Sequence, residues 1–221
     1  MSTYLIGAGG VGSFVAPALC KLIGPDKVII MDGDNLESKN LDRQLFNEGQ
    51  IGMSKAEALG LQYACSYLDE WFAFGVRSYE PEDWLICCVD NHPARLAALQ
   101  VCDYSKCQAI FAANETFSSE AYVYKPEWKD SSLDPRLLYP EIMSDHAGDP
   151  RRAAIGCVGE PQLENRQLVT ANLMAAGLAL HLYVVWAMEA IKLDEENWQH
   201  LPHHLRQNLS RSESFKANPI T

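Results

Sequence analysis

A glycine-rich turn followed by a distant carboxylate is the first chemical signal in the chain. Gly7, Gly9, Gly10 and Gly12 follow a short apolar segment. The G-x-G-x-x-G spacing lets the backbone approach a phosphate group at a helix N-terminus, where free N–H groups favour negative charge. Asp32 lies about 20 residues beyond Gly12, where a carboxylate can accept hydrogen bonds from ribose hydroxyls. The pair predicts a bound adenine nucleotide, with a tight turn beside a solvated acid as the alternative.

A polar cluster just after Asp32 indicates which nucleotide this is. Residues 38–44 read S-K-N-L-D-R-Q, so Asn40 and Arg43 would share a face of a helical turn. Lys55 lies in the first turn of a predicted helix, where the dipole disfavours a cation unless an anion is nearby. Two cations and an amide suit a triphosphate better than a dinucleotide. Ordinary surface charge is the alternative interpretation of both cations.

Asp90 and Asn91 follow the apolar segment 85–89, which is predicted to be a buried strand. Ligands of open α/β folds bind at the carboxyl edge of the sheet, where such residues lie. Beside a triphosphate, Asp90 suits Mg²⁺, which takes one or two carboxylates plus phosphate oxygens. A helix cap is the alternative role for Asp90.

The elements that would position these residues alternate between strands and helices. Strands are predicted at 4–6, 28–31, 84–89, 109–113 and 121–124, and helices at 13–23, 54–68 and 93–104. The second helix opens with a capping-box pattern at Ser54 and Glu57. Because the first 34 residues form a βαβ unit, we expect an α/β fold with a doubly wound, Rossmann-like, mainly parallel sheet.

The later part of the chain changes character. Residues 126–166 contain five prolines and show no sustained periodicity, which predicts a long crossover loop. Residues 168–187 are nearly continuously apolar and long enough to span a membrane. They include Thr170, Asn172 and His181 and lack a flanking basic cluster, so we expect a buried or interface helix. The polar tail at 197–221 is expected to be partly mobile, and residues 1–221 are expected to form a single domain.

Charge and cysteine content exclude several classes of function. The formal net charge of -11, from 18 basic and 29 acidic residues, argues against nucleic-acid binding, which needs a basic footprint. The seven cysteines form no C-x-x-C pair, which argues against structural zinc and favours a reducing compartment. No basic segment precedes a long apolar stretch at the N-terminus. We therefore expect a cytoplasmic protein.

Together these motifs resemble the adenylation domain of the ThiF/MoeB and ubiquitin-activating enzyme family, in its compact bacterial form. Their order and spacing match over residues 4 to about 115, and the later third is similar only in layout. The matching elements are G-x-G-G-V-G at 7–12, D-G-D at 32–34, S-x-N-L-x-R-Q at 38–44, G-x-x-K at 52–55 and D-N-x-x-x-R at 90–95.

The resemblance implies that ATP and Mg²⁺ adenylate the C-terminal glycine of a ubiquitin-like or sulfur-carrier protein, releasing pyrophosphate. It implies that Asp32 binds the ribose and that Asp90 binds Mg²⁺ near the reacting carboxylate. Asn40, Arg43 and Lys55 would bind the triphosphate. The full nucleotide-binding set is Gly7, Gly9, Gly10, Gly12, Asp32, Asp34, Asn40, Arg43, Gln44, Lys55, Asp90 and Asn91.

Two departures from the family bear on its partners. Family homodimers often carry an N-terminal helix whose arginine reaches the partner's triphosphate, and here the first predicted strand begins at residue 4. We expect another cation or a different partner subunit to substitute, in a homodimer or heterodimer formed through residues 168–191. The zinc motif of the sulfur-carrier branch is also absent, which disfavours a standard molybdopterin or thiazole role.

Cys157 is the candidate for a second chemical step. It lies between Gly156 and Gly159 in the predicted crossover loop, with Arg151 and Arg152 nearby to favour a thiolate. In the family, this loop can bring a thiol that takes the activated carboxyl as a thioester, and a conjugating enzyme would follow. An incidental loop cysteine is the alternative, and the other six cysteines are assigned to packing.

Two other functions remain open from the sequence. A non-catalytic, ATP-binding scaffold subunit would explain the missing N-terminal helix, but it has no need of Asp32, Arg43, Lys55 and Asp90 together. A nicotinamide-dependent oxidoreductase would explain only the glycine turn and Asp32.

Overall fold

The fold is built on a seven-stranded sheet. The computed structural model describes residues 1–114, 118–144, 169–188 and 202–208. The strands are β1 (Thr3–Ile6), β2 (Val28–Met31), β3 (Ser66–Leu68), β4 (Trp84–Cys87), β5 (Gln108–Asn114), β6 (Ser118–Tyr124) and β7 (His204–Asn208). Their order is β3-β2-β1-β4-β5-β6-β7. The pairs from β3 to β5 are parallel, and β6 and β7 add antiparallel strands at one edge. The predicted mainly parallel sheet is confirmed.

Helices cover both faces of this sheet. They are α1 (Gly12–Ile23), α2 (Lys55–Tyr63), α3 (His92–Ser105), α4 (Pro135–Leu138), α5 (Glu141–Ser144) and α6 (Val169–Trp186). Apolar residues of α1, α2 and α6 share one core with strand residues such as Ile86. The opposite core joins α3 and α5 to residues such as Leu85 and Phe111. The sheet is therefore doubly wound, as predicted.

The strand order reverses at β1, which lies between β2 and β4. In open α/β sheets this reversal opens a crevice at the carboxyl ends of the strands, and ligands bind there. The chain leaves β1 at Gly7, β2 at Asp32 and β4 at Cys88. The predicted site residues therefore follow three adjacent strands.

The second helix is shorter than predicted. It ends at Tyr63, because Ala64 adopts a left-handed conformation with φ 55°, and residues 66–68 form the edge strand β3 instead of its last turn. The predicted capping box is also absent, since Ser54 makes no side-chain cap. A Cβ at Gly60 would lie 2.5 Å from the ring of Tyr67, so helix and strand approach too closely for a larger residue.

The start of the predicted crossover loop is ordered rather than irregular. A 3-10 turn at Pro126–Trp128, α4 and α5 lie within it. Arg136 donates to Asp103 of α3 at 2.7 Å and to the buried Asp134 at 2.8 Å. Partial burial raises the pKa of Asp103, but hydrogen bonds from Arg136 and Tyr124 outweigh it and hold the pKa below its ordinary value. These bonds fasten the segment to α3, whereas residues 145–166 lie outside the described part of the chain.

The C-terminal tail contains a strand that the sequence analysis did not predict. Residues 204–208 pair antiparallel with β6, and Leu205 is buried. This part of the tail is therefore an ordered edge strand of the sheet. The tail positions on either side of 202–208 lie outside the described residues.

The predicted apolar helix is confirmed as α6. It is long and apolar enough to cross a membrane, with a mean hydropathy of 1.5, and half of it is buried. It packs against α1, β5 and β6, which makes it a core helix of this fold. Residues 189–191 of the predicted dimer helix lie outside the described residues.

Candidate functional site

A pocket of about 680 Å³ lies at the carboxyl edge of β1, β2 and β4. It collects the sequence-predicted residues except Gly12, which lies beneath the turn, and Cys157, which lies outside the described residues. Those lining it are Gly7, Gly9, Gly10, Asp32, Asp34, Asn40, Arg43, Gln44, Lys55, Asp90 and Asn91.

Two glycines of the turn, Gly7 and Gly12, have no room for side chains. Gly7 has a φ of +89°, and a Cβ there would lie 3.0 Å from the carbonyl oxygen of Cys88. A Cβ at Gly12 would lie 1.8 Å from the carbonyl oxygen of Gly7. The turn thus brings bare backbone and the N-terminus of α1 to the pocket, an arrangement that favours an anionic group.

Asp32 fastens this turn to the end of β2. Its Oδ2 accepts from the N–H of Ala8 at 2.6 Å, and its Oδ1 accepts from the N–H of Asp34 at 2.8 Å. Burial raises the pKa of Asp32, while the positive charge of Lys55 and both N–H donors act in the opposite direction. A carboxylate has about four acceptor positions, so Asp32 can also accept from hydroxyls in the pocket.

Lys55 is a nearly buried cation at the start of α2. Its side chain is 8% exposed, and its Nζ lies 2.8 Å from Oδ2 of Asp34. The dipole of α2 opposes a cation at this end. Asp34 supplies the compensating anion and holds the ammonium group at the pocket wall.

Asn40 and Arg43 both reach the pocket, but from a 3-10 turn and the turn after it rather than from one helix face. The buried Asn40 accepts from the N–H of Glu37 through Oδ1 at 2.9 Å, which closes the turn at Ser38–Asn40. Arg43 donates from Nη1 to the carbonyl oxygen of Lys39 at 2.8 Å.

Gln44 brings an unsatisfied acceptor to the pocket. Its Oε1 is buried and has no hydrogen-bond partner in the described structure. Its Nε2 would lie 3.9 Å from a Cβ at Gly9. An unpaired buried acceptor costs about 1–3 kcal/mol, so this amide suits a ligand that brings a donor next to the glycine turn.

Asp90 does not cap α3, which was the alternative role predicted for it. The cap of α3 is Asn91, whose Oδ1 accepts from the N–H of Ala94 at 2.9 Å. Arg95 donates to the carbonyl oxygen of Val89 at 3.1 Å and steadies the same turn. Among the described residues, no group of three or more His, Cys, Asp or Glu could hold a metal ion.

An aromatic wall of the pocket was missed in the sequence. Trp71, Phe72 and Phe74 line it from the segment between β3 and β4. The indole of Trp71 lies on Gly33, where a Cβ would come within 2.7 Å of the ring. The W-F-A-F run at 71–74 was the available signal. The position of this aromatic run beside the D-G-D motif at 32–34 depends on the packing of two segments that are distant in sequence.

The six cysteines in the described part of the chain are free and buried, which confirms their assignment to packing. They are Cys20, Cys65, Cys87, Cys88, Cys102 and Cys107.

The sheet order and the pocket at its switch point define a doubly wound α/β protein of the nucleotide-binding type. The sequence profile of the ThiF family matches residues 1–193, and the chain belongs to this family. Ubiquitin-like modifier-activating enzyme 5 of Drosophila persimilis is 32% identical over 124 residues, covering 47% of this chain and 32% of that protein. The Xenopus laevis protein of the same name is 31% identical over 120 residues, covering 45% and 30%.

Solved structures agree on the fold. Crystal structures of E. coli MccB with ATP and of PaaA each superimpose with a TM-score of 0.67, at 16% and 14% identity. Each alignment covers 99% of this chain and 64% of the other. This chain spans about a third of the length of the curated relatives it matches.

Proposed function

We propose that this protein uses ATP to adenylate the C-terminal glycine of a ubiquitin-like or sulfur-carrier protein in a reducing cytoplasm. The observation that carries the proposal is the convergence of Asp32, Arg43, Lys55 and Asp90 on one pocket. These four residues come from four separate motifs of the sequence, and the strand order brings the motifs together. Family membership and the ATP-bound fold relative support the same assignment.

The polar lining of the pocket suits ATP. Gly7 and Gly12 leave room only for backbone, and a phosphate group can approach the N–H groups of the turn. Lys55 and Arg43 supply positive charge for the triphosphate, and Asp32 supplies an acceptor for the ribose. Asp90 would hold Mg²⁺ together with phosphate oxygens, and the ion would neutralise phosphate charge.

The reaction requires positioning and charge stabilisation. A carboxylate oxygen of the terminal glycine attacks the α-phosphorus of ATP, and the bond from that phosphorus to the pyrophosphate oxygen breaks. The products are an acyl-adenylate and pyrophosphate. Arg43 and Lys55 would stabilise the negative charge that develops on the leaving pyrophosphate, and stabilisation of this kind is usually the largest single contribution of a preorganised site.

ATP–pyrophosphate exchange tests this function. Purified protein, Mg²⁺, ATP and labelled pyrophosphate are incubated with each small protein ending in glycine that neighbouring genes encode. We expect exchange with one of them, and a partner lacking its terminal glycine should not support it. Asp90→Ala should lower the rate at least about 100-fold, whereas Asp26→Ala, at an exposed site outside the pocket, should match the wild type.

Two results would refute the proposal. One is no exchange with any of these proteins while the wild type remains folded by circular dichroism. The other is an Asp90→Ala rate equal to that of the wild type.

The aromatic wall predicts a fluorescence response to ATP. Trp71 is 54% exposed beside Gly33, one residue after Asp32, so the base of a nucleotide whose ribose binds Asp32 would stack near the indole. We expect ATP to quench the tryptophan emission and Trp71→Phe to remove most of the quenching. Trp128→Phe, at a buried site outside the pocket, is the control. Undiminished quenching in Trp71→Phe would place the base elsewhere.

A further inference from the structure

Asn172 is a fully buried amide in the core helix α6, and both ends of that amide bind residues of the pocket. Its Nδ2 donates to the carbonyl oxygen of Arg43 at 2.9 Å. Its Oδ1 accepts from Nδ2 of Asn114 at 3.0 Å. Arg43 and Asn114 line the pocket, whereas Asn172 itself does not. A polar group with no exposed surface in an apolar helix is costly unless it is hydrogen-bonded, and both ends of this amide are.

The hydrogen bond from Asn172 to Arg43 connects the segment at residues 38–44 to the core helix α6. The N–H and Nη1 of Arg43 bind the carbonyl oxygens of Asn40 and Lys39, within the same segment. Asn172, by contrast, lies 129 positions away in sequence. A second long-range bond follows, from the N–H of Leu45 to Oγ of the buried Ser13 at 3.0 Å. The segment is therefore fixed on both sides of residue 44.

The bond to Asn114 fixes a second wall of the pocket. Asn114 ends β5, whose preceding residues Ala112 and Ala113 also line the pocket. Since Asn172 holds the Nδ2 atom of Asn114, the carbonyl end of that amide can accept from a ligand. One buried side chain thus sets the spacing between the loop that bears Arg43 and the end of β5.

We propose that Asn172 is a positioning residue that holds Arg43 for the outer phosphates of ATP. This inference rests on the proposed function, since it takes Arg43 as a ligand of the triphosphate. A shift of about 1 Å in a positioned group can cost about 100-fold in rate, and losing the Asn172 bond frees the Arg43 backbone from α6. The consequence should fall on the phosphates that AMP lacks.

The test compares ATP and AMP binding by isothermal titration calorimetry, which needs no protein substrate. We expect Asn172→Ala to raise the Kd for ATP about tenfold, as the loss of one positioned hydrogen bond to a charged ligand would, and to change the Kd for AMP less than about twofold. Asn172→Asp keeps the size and the acceptor for Asn114 but cannot donate to Arg43, so it should show the same ATP-selective loss. That variant separates positioning from the effect of a cavity.

Tyr183→Phe is the matched control. Tyr183 is fully buried in the same helix, and its hydroxyl bonds Oγ1 of Thr3 at 2.7 Å. It lies outside the pocket, so this variant should lose thermal stability, as Asn172→Ala does, yet keep both dissociation constants.

The possible results are distinct. Equal weakening of ATP and AMP in the Asn172 variants would show a merely structural role and overturn the proposal, as would unchanged ATP binding. Equal affinities of the wild type for ATP and AMP would also overturn it, because Arg43 would then add nothing through the outer phosphates. A folded wild type that binds neither nucleotide would refute the proposed function itself.

Discussion

Replacing Lys55 with methionine is expected to lower the rate of ATP–pyrophosphate exchange by about 100- to 1000-fold, the usual loss when one preorganised charge-stabilising group is removed. The ammonium group is nearly buried at the pocket wall and is held there by Asp34. Methionine keeps most of the apolar stem and deletes only the charge. The effect should fall on kcat more than on KM, because the leaving pyrophosphate gains charge as the bond breaks.

The stability of this variant should fall, but without loss of the fold. Asp34 is 54% exposed, so its carboxylate remains hydrated when Lys55 is absent, and the cost falls on the buried Asp32, which loses the positive charge that lowers its pKa. Lys21→Met, at an exposed position in the last turn of α1, is the control and should keep full activity. Exchange kinetics and thermal denaturation, measured on the same samples, separate an effect of Lys55 on the reaction from an effect on stability. A Lys55→Met enzyme with wild-type kcat would remove Lys55 from the reaction.

Short local patterns in the sequence are enough to predict one part of the site, namely the glycine turn and the carboxylates at the ends of the strands. A Cβ at Gly12 would clash with Gly7 five residues earlier, so the glycine spacing is a local steric requirement that can be read from the chain. Asp32 and Asp90 each follow an apolar strand, and parallel strands end at the same edge of a sheet. Their convergence on one pocket therefore follows from the βαβ pattern.

The elements that the sequence analysis missed depend on contacts between distant segments. β3 has three residues, and the exposed Tyr67 is its middle residue, so no apolar run marks it. β7 buries Leu205 and is fixed by its pairing with β6. A short edge strand of this kind carries little periodic signal in its own sequence.

The same reasoning explains why two residues at or next to the pocket, Asn172 and Trp71, could not be predicted. Asn172 interrupts an apolar run, and in the sequence this polar residue argues only against a membrane span. Its two partners are 58 and 129 positions away. Trp71 faces Gly33 across a gap of 38 positions, which no local periodicity links. The part of the pocket that contains Arg43 is thus specified jointly by local motifs and by a core helix far along the chain.

The second large effect that we expect is the formation of a thioester adduct at Cys157. Wild-type enzyme incubated with ATP, Mg²⁺ and its protein substrate should form a covalent adduct that a thiol reductant cleaves, because free thiolate attacks a thioester but not an amide. The thiolate of Cys157 attacks the carbonyl carbon of the acyl-adenylate, and AMP leaves. We base this proposal on the glycine-flanked sequence around Cys157 and on the two nearby arginines at 151 and 152.

Cys157→Ala should abolish the adduct and leave ATP–pyrophosphate exchange nearly intact. The reason is that the proposed adenylation step would use Arg43, Lys55 and Asp90 at the edge of the sheet and would need no thiol. Cys102→Ala, which removes a fully buried packing cysteine, should retain the adduct and controls for the loss of any one thiol. Gel electrophoresis of samples with and without reductant detects the adduct, and mass spectrometry locates the modified residue.

Two results would contradict this assignment. If the adduct persists in Cys157→Ala, another residue carries the thioester, and if exchange fails in that variant, Cys157 is also needed for adenylation. If the wild type forms no adduct while exchange proceeds, the enzyme stops at the acyl-adenylate and an external nucleophile takes the acyl group.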